Sequence, residues 1–325
     1  MKARWLWKWL ALVTFSVVVA FGCAFAQEVN PQKVPSVPDS SVGQESQEVP
    51  QKSGQGLSAS HYAGLTFPQV EQFLLKAKVV RLRDISVGIT DSKRATLDDG
   101  KLQHDAHVQT VDVSKASFQT ARGTEMNFRD SYKFNIAAYE LDKLLELNMV
   151  PPSVERKVSG NFAAVTWWID GAMMELDRVK KKIQPPDPTR FNQQSFMRRV
   201  FDELIYNTDD NQGNILYTKD WKTWLIDHTR AFRSQKVLLN PKNLEKCDRH
   251  LLVKMRELDK EALQQKLGSY ITKPEIDGLL ARRDLIVKFF DDQMAQKGEA
   301  AVLFDFQDQG KPQEHAVSTG LESSK

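Results

Sequence analysis

The sequence predicts an α+β protein of two lobes, an antiparallel-sheet lobe followed by a mainly helical one. Three observations predict it. Residues 79–113 hold short strand-like segments separated by turn residues, with Asp98-Asp99-Gly100 as the clearest hairpin signal. A polar, proline-rich break then runs through Lys180-Lys181-Lys182 and Gln184-Pro185-Pro186-Asp187-Pro188. Beyond it, apolar residues recur at the helical period over long stretches.

The ends of the 325-residue chain stand outside this plan. Residues 1–26 read as a signal peptide: Lys2, Arg4 and Lys8 start it, Trp9 to Phe21 is an apolar run, and Ala24-Phe25-Ala26 offers a cleavage site before Gln27. The run is short against the roughly 20 apolar residues of a membrane span. An exported protein, periplasmic or secreted, is expected. The alternatives are an anchor through an uncleaved leader or a lipid at Cys23, which follows the poor attachment box Ala20-Phe21-Gly22. The leader carries three cations and no acid, the whole of the formal net charge of +3, so the mature chain is formally neutral. A neutral chain with both signs interspersed gives no support to a nucleic-acid partner. Cleavage also leaves Cys247 as a single cysteine, read as a small buried apolar residue. Residues 27–60, rich in Gln, Ser, Pro and Gly and free of aromatics, read as a disordered linker, and residues 305–325 as a polar tail.

Between these lie a first lobe, 61–182, and a second, 183–304. Phe67, Val70, Phe73, Leu74 and Ala77 share one helical face. Strands are expected at Val79–Leu82, Ile85–Thr90, Arg94–Leu97 and His104–Val113. A helix from Asp130 to Asn148 aligns Phe134, Ala137, Ala138, Leu141, Leu144 and Leu145, with Asp130 or Ser131 as its cap and Pro151-Pro152 beyond its end. Val154–Val158 and Phe162–Ile169 form a second hairpin over Gly160-Asn161, with Trp167 and Trp168 as packing residues, and Met173-Met174-Glu175 connects onward. In the second lobe, helices are expected at Asn192–Tyr206, at Arg249–Lys266, and at Ile276–Gln296 with a charged interlude at Ala281-Arg282-Arg283-Asp284.

The chemistry concentrates between Leu204 and Phe232, LIYNTDDNQGNILYTKDWKTWLIDHTRAF. It reads as a helix end, a polar loop, and two short strands, the second ending on Asp227. Asp209 and Asn214 place a carboxylate and an amide on one loop, and the hairpin returns Asp227 beside them. Magnesium takes hard oxygen ligands and keeps several of its waters, so one carboxylate and one amide suffice as the protein's share. A plain polar turn is the competing reading, with Asn207 and Asp209 capping the preceding helix. A calcium loop is excluded: counted from Asn207, the sixth position is Gln212 and the twelfth Thr218. His104, His107, His228 and His250 are scattered, and the first two project to opposite faces of a strand, so no zinc site is expected. No G-x-S-x-G elbow is present.

Asn207-Thr208-Asp209 with Gly213-Asn214, followed by Leu225-Ile226-Asp227-x-x-Arg230-Ala231-Phe232, resembles the atypical kinase superfamily, notably type II phosphatidylinositol 4-kinases, HipA-like kinases and secretory-pathway Fam20 kinases. Ala137-Ala138-Tyr139, ending in Met149-Val150-Pro151-Pro152, is similar to their regulatory-helix segment. The likeness covers roughly residues 67–304 and implies a protein-kinase-like fold, with Asp209 as catalytic base, Asn214 and Asp227 as metal ligands, ATP or another nucleotide, and magnesium or manganese. Two slots depart from the pattern. Gln109 stands where the strand lysine is expected and Asn135 where its glutamate partner is expected, a pair able to hydrogen-bond but without positive charge. Lys115 and Lys133 are the candidate substitutes. Gly88 and Gly100 are isolated, so no glycine-rich phosphate loop is evident. The resemblance implies phosphoryl transfer to a protein or small-molecule hydroxyl; the two departures favour an alternative, a pseudokinase acting as a binding or scaffold module.

Overall fold

The computed structural model describes residues 62, 64–85, 92–120 and 123–307. The signal peptide, the linker, most of the strand expected at Ile85–Thr90 and most of the polar tail lie outside the described residues. Helix α1 (Phe67–Lys76) starts on a capping box, Thr66 with Gln69, and buries Val70, Phe73 and Leu74. Strands β1 (Lys78–Asp84), β2 (Lys93–Asp98) and β3 (Gln103–Gln109) follow as an antiparallel meander. The Asp-Gly turn forms as expected. Gly100 takes φ 86°, while the carboxylates of Asp98 and Asp99 accept the N–H groups of Gly100 (2.7 Å) and Leu102 (2.8 Å).

Strand β3 stops at Gln109, not Val113. Val113 belongs to a separate hairpin, β4 (Asp112–Thr120) and β5 (Gly123–Ser131), stapled by the stacked rings of Phe118 and Phe128 at 4.3 Å. Asp130 and Ser131 therefore end a strand and do not cap a helix. Helix α2 (Lys133–Leu145) begins behind Tyr132 and buries Phe134, Ala137, Ala138, Leu141 and Leu145. It ends where Glu146 turns left-handed (φ 51°). The Asp142 carboxylate fixes the exit by accepting N–H groups from Asn148 (3.1 Å), Met149 (2.9 Å) and Val150 (3.1 Å). Strands β6 (Ser153–Val158) and β7 (Asn161–Trp167) return over Ser159-Gly160, both with positive φ as a two-residue hairpin loop requires, one residue earlier than the sequence suggested. The five-stranded sheet runs β1-β2-β3-β7-β6. Trp167 is buried in it and stacks on His104 at 3.5 Å, whereas Trp168 lies under the Arg94 guanidinium at 4.1 Å.

Strand β8 (Met173–Met174) and α3 (Glu175–Lys180) lead to α4 (Pro188–Ile205), capped by Asp187. Strands β9 (Ile215–Tyr217) and β10 (Thr223–Leu225) form the expected small hairpin, joined by β8. Strand β11 (Cys247–Asp248) holds the buried Cys247 and pairs with the terminal β12 (Leu303–Phe304), which follows the short α8 (Glu299–Val302). The helix expected at Arg249–Lys266 is two, α5 (Arg249–Glu257) and α6 (Lys260–Leu267), because the Asp259 side chain caps a new start by accepting the Ala262 N–H at 2.6 Å. The last helix, α7 (Lys273–Lys297), runs unbroken through the charged interlude. No helix among the described residues is long and apolar enough to cross a membrane.

Among the described residues two large hydrophobic cores result, beside a small cluster of Tyr132, Ile136 and Ala164. One joins α1 to the sheet and takes in Trp224; the other gathers the helices around Phe201, Leu204, Phe232 and Leu279, and α2 contributes most of its apolar face to this second core. Two residues on α7 seat it against the chain after β10. A Cβ on Gly278 would meet the Ser234 carbonyl carbon and oxygen at 2.9 Å. One turn on, the fully buried Arg282 donates to the carbonyls of Leu204 (2.8 Å) and Arg233 (2.8 Å) and to that of Gln235. Gly278→Ala is predicted to lower stability by about 1–3 kcal/mol through overpacking, read as a lower urea midpoint at unchanged slope; an unchanged midpoint would refute this close approach.

Candidate active site

The site is assembled by three short segments. Helix α4 ends at Tyr206, in the left-handed region at φ 54°. Asn207 then makes an Asx turn: its amide nitrogen donates to Asp202 (2.9 Å) and its oxygen accepts the Asp209 N–H (3.1 Å). Within the loop, the Asn211 amide donates to the Asp209 carboxylate (3.2 Å) and accepts from the Gly213 N–H (2.8 Å). Asn214 donates its side-chain nitrogen to the Asp209 carbonyl at 3.1 Å. That bond orients the amide and leaves its oxygen as a free acceptor.

The segment after β10 zips onto this loop. Ile226 N–H donates to the Asn214 carbonyl (3.0 Å), Thr208 donates its hydroxyl to the Arg230 carbonyl (2.8 Å), and Phe232 N–H donates to the Ile205 carbonyl (2.6 Å). Asp227 therefore arrives beside Asn214, as the strand spacing predicts. It sits in the left-handed region, φ 56°, a conformation that a short polar side chain tolerates and that β-branched residues avoid.

The third segment comes from the sheet lobe. Gln109, last residue of β3, donates to an Asp227 carboxylate oxygen at 3.4 Å and accepts from Asn135 of α2 at 2.7 Å. Asn135 in turn accepts the His228 N–H at 2.7 Å. The two residues in the expected lysine and glutamate slots are thus bonded to each other and to Asp227 or its neighbour, as uncharged amides. Thr229 adds its hydroxyl to the same Asp227 oxygen at 3.1 Å. The suggested substitute lysines are engaged elsewhere: Lys133 pairs with Asp112 at 3.0 Å, and Lys115 lies over the Phe118 ring.

Sequence reasoning passed over three residues here. His107 lies two residues before Gln109 and so on the same strand face; burial lowers its pKa while the Asp227 charge opposes that shift. Arg230 donates Nε to Asp130 Oδ2 at 2.9 Å and brings Nη1 to 3.9 Å from Asp209 Oδ2. Burial works against its charge, but Asp130, Asp209 and Asp227 outweigh it and hold the guanidinium pKa above its ordinary value. Asp130 completes the set. Arg230 was visible within the D-x-x-R-A-F motif, but its partner on the polar β5 strand carried no pattern of its own.

The donor set suits a hard cation. Among the described residues the Asn214 side-chain oxygen and the second Asp227 carboxylate oxygen accept no hydrogen bond, on residues held by several others. Among the described residues no group of three or more His, Cys, Asp or Glu gathers to hold a metal by itself. An ion here would rely on those two oxygens with water or phosphate, the partial shell that magnesium and manganese accept. A cavity of about 390 Å³ beside α4, lined by Glu175, Ser195, Arg198, Arg199 and Glu245 among others, contains none of these residues.

Below the loop, burial pushes the Asp202 carboxyl up to about 7, helped by the Asp210 charge and opposed by Arg198, which bonds both acids. Its folded pKa exceeds the unfolded value near 3.8, so it costs stability progressively as pH rises from about 4 to about 7. Asp202→Asn is predicted to gain stability relative to wild type across that window and to show a flat difference above it, measured as melting temperature against pH. A constant difference from pH 4 to 8 would exclude the shift.

No family model matches this chain, and no curated protein matches it. Among the solved structures that resemble it are a Fam20 protein and a Golgi casein kinase. The structure of hydra Fam20 with sugar superposes with a TM-score of 0.56 at 15% identity, covering 74% of this chain and 92% of that one. The Golgi casein kinase with Mn/ADP bound gives 0.53 at 12% identity, over 73% and 78% of the two chains. A second structure of the Golgi casein kinase gives 0.52 at 12%, over 74% and 80%. A β-meander closed by β7 and β6, a helix packed behind it, and a helical half carrying a small hairpin give this chain the two-lobed fold of these structures.

Proposed function

We propose that this chain is an exported phosphotransferase that moves a phosphoryl group from ATP or a similar nucleotide to a hydroxyl of a protein or small molecule, with magnesium or manganese as cofactor. The observation that carries the reading is the coupling of Asp227 to both lobes: Gln109 bonds it from the sheet, and the Ile226–Asn214 bond ties it to the Asp209 loop. A polar turn needs no such link. The Golgi casein kinase structure, which shares the fold, holds Mn/ADP, and the leader supports export.

In this reading Asp209, with its carboxylate partly exposed (37%), accepts the proton of the acceptor hydroxyl as that oxygen bonds to phosphorus and the phosphoanhydride breaks. Asn214 and Asp227 offer their free oxygens to the cation, and a bound cation supplies positive charge against the phosphate oxygens. Gln109 positions Asp227 without adding charge.

A second reading, a pseudokinase that binds but does not turn over, is favoured by the Gln109–Asn135 pair, whose amides leave the expected cation out. Purified protein with manganese and labelled ATP separates the two. The phosphotransferase reading expects a thermal shift and transfer of label. Asp209→Ala should abolish transfer by a factor of about 100 or more while keeping the shift, and Asp227→Ala should lose both. A shift without transfer selects the binding module. No shift with either magnesium or manganese would overturn the phosphotransferase reading.

A further inference from the structure

Among the described residues no lysine bonds Asp209, Asn214 or Asp227, yet a triphosphate needs positive charge beyond that of one divalent ion. Arg230 is the cation that the fold brings there. Its charge is coupled to Asp209 and Asp227 together, and its Nη1 stops 3.9 Å from Asp209, too far for a hydrogen bond. Among the described residues only Nε makes a hydrogen bond, to Asp130, and the side chain is 29% exposed, so the outer edge of the guanidinium keeps its donors. The backbone beneath it is fixed by Thr208, which bonds the Arg230 carbonyl through both its N–H and its hydroxyl.

We propose that Arg230 is the phosphate-binding cation of this site, supplying from below the charge that Gln109 does not supply from above. This rests on the phosphotransferase reading. Asp130 is the positioning residue: buried, with one carboxylate oxygen on Nε and the other without a partner, it holds the guanidinium plane while Nη1 and Nη2 remain for phosphate oxygens. A planar fork held on one edge suits a two-oxygen anion on the other.

The plainer role for Arg230 is a strap. It lies over the Phe128 ring at 5.7 Å and could do no more than pin β5 to the loop through Asp130. Binding of ATP and of adenosine, each with manganese, distinguishes the two. As a phosphate ligand, Arg230→Gln weakens ATP binding about tenfold or more and leaves adenosine binding as in wild type. Arg230→Lys retains part of the ATP affinity, and adding Gln109→Lys to Arg230→Gln restores it from the opposite side of the site. Asp130→Asn, which keeps an acceptor for Nε, changes the ATP-to-adenosine ratio less than Arg230→Gln does. As a strap, Arg230→Gln and Asp130→Asn lower the melting temperature together and leave the ratio at its wild-type value, and that result would overturn the proposal while the phosphotransferase reading stands. A wild-type protein that binds neither ATP nor adenosine fails that reading, and this inference with it.

Discussion

The site depends on a buried charge that no acid among the described residues pairs with directly, Glu203 acting on it only from a distance. Arg282 is fully enclosed and gives its N–H groups to three backbone carbonyls, one at the end of α4 and two beyond Asp227. Burial pulls its pKa down to about 10, so the cation persists at neutral pH at a real solvation cost. The carbonyl dipoles offset that cost only if all three stand where they do. Arg282 reinforces the direct bonds that already join the two segments, Thr208 to Arg230 and Phe232 to Ile205, and Gly278 lets α7 come close enough for the contact. Arg282 thus supports the relation of Asp209 to Asp227 while bonding neither.

A different economy governs the upper half of the site. A lysine–glutamate pair between sheet and helix must shed two hydration shells, whereas Gln109 and Asn135 shed much less and still supply directional bonds. The amide pair retains what orients Asp227 and gives up what would attract an anion. With Asp130, Asp209 and Asp227 near one another and Arg230 as the cation coupled to all of them, the local balance stays negative. Such a site favours a cation as first occupant, with phosphates held through it.

Much of this was legible in the sequence. The loop from Asn207 to Asn214 and the aspartate after β10 stand where spacing put them, because short loops between apolar segments leave few alternatives. The amides at 109 and 135 were found by counting from neighbouring motifs. The β4–β5 hairpin was not legible: its strands are polar and largely exposed, so they alternate against no core and carry no period. The break between α5 and α6 hid inside a helical stripe, since a single capping aspartate does not interrupt the spacing of leucines. Arg282 stood only as part of a charged interlude, because what buries it are carbonyls from distant positions. Side-chain pattern reports burial against apolar partners and is silent about burial against backbone.

The β4–β5 hairpin carries a mechanical consequence. It separates Gln109 from α2, and its far end is bonded to the loop after Asp227 through Ser131 N–H to the Thr229 carbonyl (2.9 Å) and through Asp130 to Arg230. Arg129 and Arg233 add further ties, to Glu275 and Glu125. Helix α2 thus starts from an anchored point and sinks its apolar face into the helical core. Rotating it away from the sheet would break the anchor and the core together, which braces the two lobes against one another at this corner. Opening would have to come from the sheet sliding over a stationary α2, and backbone amides of α2 and residues 228–232 would exchange with solvent as one cooperative unit.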